Sequence, residues 1–106
     1  MAKYLIQVTY TGEGAKGLQK DGGTKRRKIA EKLVESVGGK LEAFYFAFGD
    51  SDAVVIADMP DNVSAAAAAL TLSVSGVVTG KTTVLITPEE MDQAVKKSPK
   101  YSAPGR

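Results

Sequence analysis

Hydrophobic side chains recur along this chain in two rhythms. From Lys3 to Tyr10, Tyr4, Ile6, Val8 and Tyr10 alternate with Leu5, Gln7 and Thr9, the period of a strand with one strongly apolar face. Thr11-Gly12-Glu13-Gly14 breaks that strand, and Ala15 to Gly23 reads only as a short helical turn followed by the loop Lys20-Asp21-Gly22-Gly23. From Thr24 the period changes. Ile29, Ala30, Leu33, Val34 and Val37 form a helical stripe, with Lys28, Glu31, Lys32 and Glu35 turned outward, and Gly38-Gly39 ends the helix. Two β-rich runs around Gly49-Asp50-Ser51-Asp52 follow as a hairpin, which Met59-Pro60 stops.

Asp61 is suited to cap a helix from Asn62 to about Ser75, with Val63, Ala67, Leu70 and Val74 as its inner stripe and Gly76 closing it. Its five consecutive alanines make a slim, strongly helix-favouring rod that can lie close to a sheet. Val77 to Ile86 alternates again and predicts a fourth strand. Thr87-Pro88-Glu89-Glu90 then supplies a cap, a proline at the first helical position and acids in the first turn, for a short helix to about Lys97. The order is βαββαβ plus a terminal helix. Right-handed crossovers place both main helices on one face of a four-stranded antiparallel sheet, an α+β, ferredoxin-like plait. Residues 1–97 form the domain, and the polar, proline-containing stretch 98–106 reads as a flexible tail.

The hairpin breaks the expected amphipathic pattern. A plait wets its helix-free face, so each strand should carry a polar side. Phe44, Tyr45, Phe46 and Phe48 leave none on the first hairpin strand, and Val54, Val55 and Ile56 leave none on the second. In either phase these strands present apolar side chains to both faces, and an exposed patch of several hundred Å² is unusual for a monomer. The economical cover is a second copy, sheet face to sheet face, making a homodimer or higher assembly. The competing cover is the terminal helix or the tail.

Composition narrows the chemistry. At 106 residues the chain fits one domain, which at that size buries roughly two-thirds of its unfolded surface. Its 43% apolar and 25% charged residues are ordinary for a globular protein. There is no cysteine and no histidine, which removes disulfides, thiol nucleophiles, imidazole ligation of haem or zinc, and Ser-His or Cys-His pairs. Acid–base chemistry would fall to Asp, Glu, Lys or Tyr. Neither a cofactor nor a metal site is indicated, and the glycine patterns of phosphate and dinucleotide loops are missing from the first crossover. A net charge of +2 argues against a dedicated nucleic-acid surface. The start of the chain is too short and polar for a signal peptide, and Ala65 to Val78 falls short of the ~20 strongly apolar residues of a spanning helix. The expected setting is cytoplasmic, with no membrane partner.

The string Gly38-Gly39-Lys40-Leu41, with Tyr45, Gly49 and Asp52 ahead of an apolar strand, resembles the GYD family, named for a Gly-x-Tyr-Asp turn. The likeness extends over roughly Lys3 to Val95 through the order of elements. It implies a dimeric α+β barrel, plaits paired through their sheets, with no settled activity. Related plait dimers include isomerases and cofactor-free monooxygenases, most of which lean on histidine or a well-placed acid. Here Ser51 stands where the turn tyrosine is expected, which puts that tyrosine's role in question.

Candidate site residues follow from both lines. Gln7, Thr9, Tyr10, Tyr45 and Lys81 are the polar groups placed to reach the helix-free face or its rim, where a dimer would enclose an apolar pocket with a few convergent donors suited to a small-molecule ligand. A buried Lys81 would be a base or Schiff-base amine, whereas a Lys81 on an edge strand would guard against aggregation. Asp50 reads as turn chemistry; Asp52, which matches the family turn, stands as a base or cation ligand as well as a turn residue. The four cations of Thr24 to Lys28 oppose the helix dipole, so the helix begins earlier, an acidic group sits nearby, or they form a solvated face. The first functional reading is a homo-oligomeric small-molecule protein, a cofactor-free enzyme or a carrier, with its pocket between sheet and helices or between paired sheets. A non-catalytic interaction module is the alternative. RNA binding in the manner of RRM modules, which share the βαββαβ order, is a distant third, because the third strand has no aromatic residue.

Overall fold

The computed structural model describes all residues, Met1–Arg106. Eight elements succeed one another: β1 Ala2–Tyr10, α1 Gly12–Asp21, α2 Gly23–Ser36, β2 Lys40–Phe46, β3 Ala53–Met59, α3 Asn62–Ser75, β4 Val78–Leu85 and α4 Pro88–Lys97. The four strands form one sheet in the order β2-β3-β1-β4, every neighbouring pair antiparallel. This is the βαββαβ plait. Alternation sets the faces: Tyr4, Ile6 and Val8 of β1 and Ala53, Val55, Ala57 and Met59 of β3 are buried towards the helices, and together with Val34, Ala65 and Val78 they form the core. No helix is long and apolar enough to cross a membrane.

Local chemistry sets the helix ends. Asp61 caps α3 by accepting the Ser64 backbone N–H at 2.8 Å, and the same bond holds its carboxyl below the usual aspartate range. The Tyr4 hydroxyl, from the floor of the core, donates to Asn62 Oδ1 at 2.6 Å and ties the start of α3 to β1. Thr87 and Glu90 make a reciprocal capping box at the start of α4.

Three expectations are corrected. The segment expected to be a turn and loop forms α1, capped by Thr11, whose hydroxyl accepts the Gly14 N–H at 3.2 Å. Gly22, at φ +79°, makes the bend into α2 that other residues adopt only with strain. Asp21, at the end of α1, lies 3.4 Å from Lys25 and 3.8 Å from Arg26, supplying the acidic group that the cation run called for. Phe48 leaves the strand altogether and stands fully exposed at the hairpin tip.

The third correction concerns α3, which buries the opposite face from the one its larger side chains mark. Ala65 and Ala68 are buried, with Ala69 and Leu72 beside them, while Val63, Leu70 and Val74 are 79%, 65% and 78% exposed. The helix carries no charged residue between its caps, so both faces are apolar, and the alanine face allows the closer approach to the sheet.

Candidate functional site

Each side of the sheet carries a concavity, and the strand register decides which residues meet there. On the helix-free face, Tyr45 of β2, Val54 of β3, Gln7 of β1 and Lys81 of β4 lie in one cross-strand row. The next row runs Ala43, Ile56, Leu5, Thr83, and the one after Lys40, Asp58, Lys3, Leu85. Tyr45, Val54, Ile56, Leu5 and Leu85 thus make a continuous diagonal apolar band. A bulge between Leu41 and Ala43 turns Glu42 onto this face. There Glu42 and Asp58 flank Lys3, which donates to both carboxylates, the Asp58 bond at 3.1 Å. The two hydrogen bonds, Glu42's the larger, raise the Lys3 amine above the ordinary lysine value. Neither competing cover lies over the band: α4 buries none of its residues, and Leu5, Val54 and Ile56 are only half-buried.

At the opposite end of the same face is a recess of about 340 Å³ with no hydrophobic residue in its lining, which is made by Gln7, Thr9, Asp50, Ser51, Thr79, Gly80 and Lys81. Period-two spacing brings Gln7, Thr9, Thr79 and Lys81 together, because Gln7 pairs with Lys81 and Thr9 with Thr79. Lys81 lies exposed on β4, an edge strand, where a lysine also discourages strand addition. Asp50 and Ser51 join the recess from the hairpin loop, a contact no periodicity announces. Tyr45, 71% exposed, belongs to the apolar band and does not line the recess.

Two candidates fall elsewhere. Tyr10 keeps the phase of Tyr4, Ile6 and Val8 and points to the helix side, where it lines the second concavity. Asp52 is a bracing group: its Oδ2 accepts the Tyr10 N–H at 2.8 Å, its own N–H donates to Val8 O at 2.8 Å, and its carbonyl accepts the Ala47 N–H at 2.9 Å. The Asp52→Ala variant is expected to lose about 1–3 kcal/mol of stability, the cost of an orphaned backbone donor. Urea unfolding reads this, and unchanged stability with altered ligand affinity would instead make Asp52 a ligand contact.

The second concavity is a trough over the sheet. Helix α2 lies against β2 and α3 against β4, which leaves a cavity of about 90 Å³ between them above β1 and β3. Its lining is apolar except for Thr82, the Tyr10 hydroxyl and one charged side chain, Arg26. The sequence treats Arg26 as one of a solvated run of cations. The signal that marks it is its spacing, since Ile29, Ala30 and Leu33 follow at i+3, i+4 and i+7 and put the guanidinium on the inward stripe.

Compared with known families, the chain matches the family model described as the GYD domain over residues 4–95. No curated protein matches it.

Proposed function

The chain belongs to the GYD domain family, and from that premise we propose that it acts as a homodimer, closed sheet face to sheet face, that holds a small molecule in the recess around Gln7, Thr9, Thr79 and Lys81. The observation that carries this reading is the diagonal band from Tyr45 to Leu85, an apolar surface on a sheet face that no other element of the chain covers. A second copy related by a two-fold axis brings the same band against itself. The polar recess, open on the free chain, then sits beside the buried band with the Lys81 cation, the Asp50 carboxylate and several hydroxyl and amide groups converging, a composition suited to a small polar ligand.

A thermal-shift screen of polar metabolites tests the ligand part. A stabilising compound is expected to lose at least about tenfold in affinity in Lys81→Ala, the usual scale for one charged hydrogen-bond partner. A shift that Lys81→Ala leaves intact would remove the recess from the site. The second reading, an interaction module whose assembly is itself the function, is favoured by the outer face of α3, where Val63, Leu70 and Val74 form a further uncovered apolar stripe.

A further inference from the structure

We propose that the trough between α2 and α3 is a binding site for a small apolar monocarboxylate, its hydrocarbon part between the helices and its carboxylate on Arg26. This site lies on the other side of the sheet from the recess and does not require the dimer.

Three observations converge on it. Close-packed interiors leave few voids larger than a water molecule, yet here both helices stand on opposite halves of the sheet, and the alanine face of α3 leaves the space between them unfilled. The walls are Ala30 and Leu33 on one side and Ala68, Ala69 and Leu72 on the other, over a floor of Val8 and Val55. Of the 19 lining residues 16 are hydrophobic, which suits an occupant whose body is hydrocarbon. Arg26 is the sole charge in the lining, and its only ion-pair partner, Asp21, lies 3.8 Å away, beyond hydrogen-bond length, and is shared with Lys25. The guanidinium therefore keeps its planar fork of donors for a carboxylate, the anion that matches it in two parallel bonds. Size sets the third limit. The cavity of about 90 Å³ is smaller than the ~150 Å³ that takes up benzene, so it encloses about four carbon atoms. The far end of hexanoate's unbranched chain is of that size, with the carbons next to the carboxylate reaching out to Arg26, whereas a ring as wide as benzoate's is excluded.

The test uses the full-length protein, labelled with nitrogen-15, titrated separately with hexanoate, 1-hexanol and hexylamine. Hexanoate is expected to bind saturably and to shift the amides of Ala68, Ala69 and Val78. Hexanol, which lacks the charge, should bind about tenfold more weakly, and hexylamine more weakly still. Arg26→Gln should remove the preference for hexanoate over hexanol while leaving hexanol binding unchanged. Ala69→Leu, which fills the trough, should abolish both, and a preserved amide spectrum certifies that each variant is folded. Equal binding of acid and alcohol by the unaltered protein, an acid preference that survives Arg26→Gln, shifts confined to Gln7, Thr79 and Lys81, or no saturable binding of any probe would each overturn the proposal.

Discussion

Ile56→Asp is expected to turn the protein from a dimer into a monomer at micromolar concentration. Ile56 sits at the middle of the helix-free face, between Ala43 and Leu5 in the strand register. A two-fold axis through that region would bring the two new carboxylates close together in a surface otherwise drained of water. Like charges so placed, with no partner, cost several kcal/mol. At 1.4 kcal/mol per decade, a loss of about 4 kcal/mol weakens dimerisation about a thousandfold. Ile56 is only half-buried in the single chain, so the carboxylate can reach water once the copies part. Circular dichroism should therefore report a folded monomer. Tyr45→Ala removes an exposed edge of the band and should weaken the dimer less. Val63→Asp, on the far side of α3, should leave this interface as it was. An Ile56→Asp protein that stays dimeric would move the interface off the sheet.

Gly14→Ala is expected to destabilise the fold strongly although alanine is the better helix former. Gly14 is buried in α1, and a Cβ there would lie 1.9 Å from the carbonyl oxygen of Val77. That oxygen cannot move freely, because it accepts the Thr11 N–H at 3.0 Å and the Thr11 hydroxyl at 3.2 Å. Helix propensity favours alanine by about 1 kcal/mol. Displacing a backbone carbonyl from its hydrogen bonds outweighs that gain, and a net loss on the order of 3 kcal/mol is expected. Gly17 in the same helix has open space where its Cβ would be. Gly17→Ala should therefore stabilise, by up to about 1 kcal/mol. Urea midpoints of the two variants decide the matter, and a Gly14→Ala protein as stable as Gly17→Ala would show that the close approach carries no strain.

The elements that could be read from the sequence are those with a clean phase or an explicit cap. The strict alternation of β1 placed Tyr4, Ile6 and Val8 on the core side and Gln7 and Thr9 together on the other, and Asp61, Gly76 and the Thr87-Pro88-Glu89-Glu90 run marked their helix ends. The face of α3 could not be read this way. A helix without charges and apolar all round has no phase in its polarity, and weighting by side-chain size selects Val63, Leu70 and Val74, the face left outside. What decided the outcome was closeness to the sheet, which small side chains permit. Helix α1 was obscured by its glycines, of which Gly14 is required by a contact 63 residues away at Val77, and no local pattern carries such a requirement.

The site divides in the same manner. Period two put Gln7 and Thr9 on one face of β1, and the strand register brings Thr79 and Lys81 of β4 beside them. It equally put Tyr10 with Tyr4, and treating Tyr10 as a rim residue set its hydroxyl above its phase. Asp52 reads in the sequence as a base or cation ligand as well as a turn residue, and its carboxylate accepts the Tyr10 amide N–H across the sheet. The trough is a vacancy created by two helices standing apart, and a void has no residue of its own to leave a mark in the sequence.

The central claim, that the helix-free face is shared between two copies, is tested most directly by the mass of the unaltered protein in solution, measured by light scattering during gel filtration at micromolar concentration. A mass of twice 11.1 kDa, stable on dilution through the low micromolar range, is the predicted result. A mass of 11.1 kDa throughout would contradict it, since the band from Tyr45 to Leu85 would then face water.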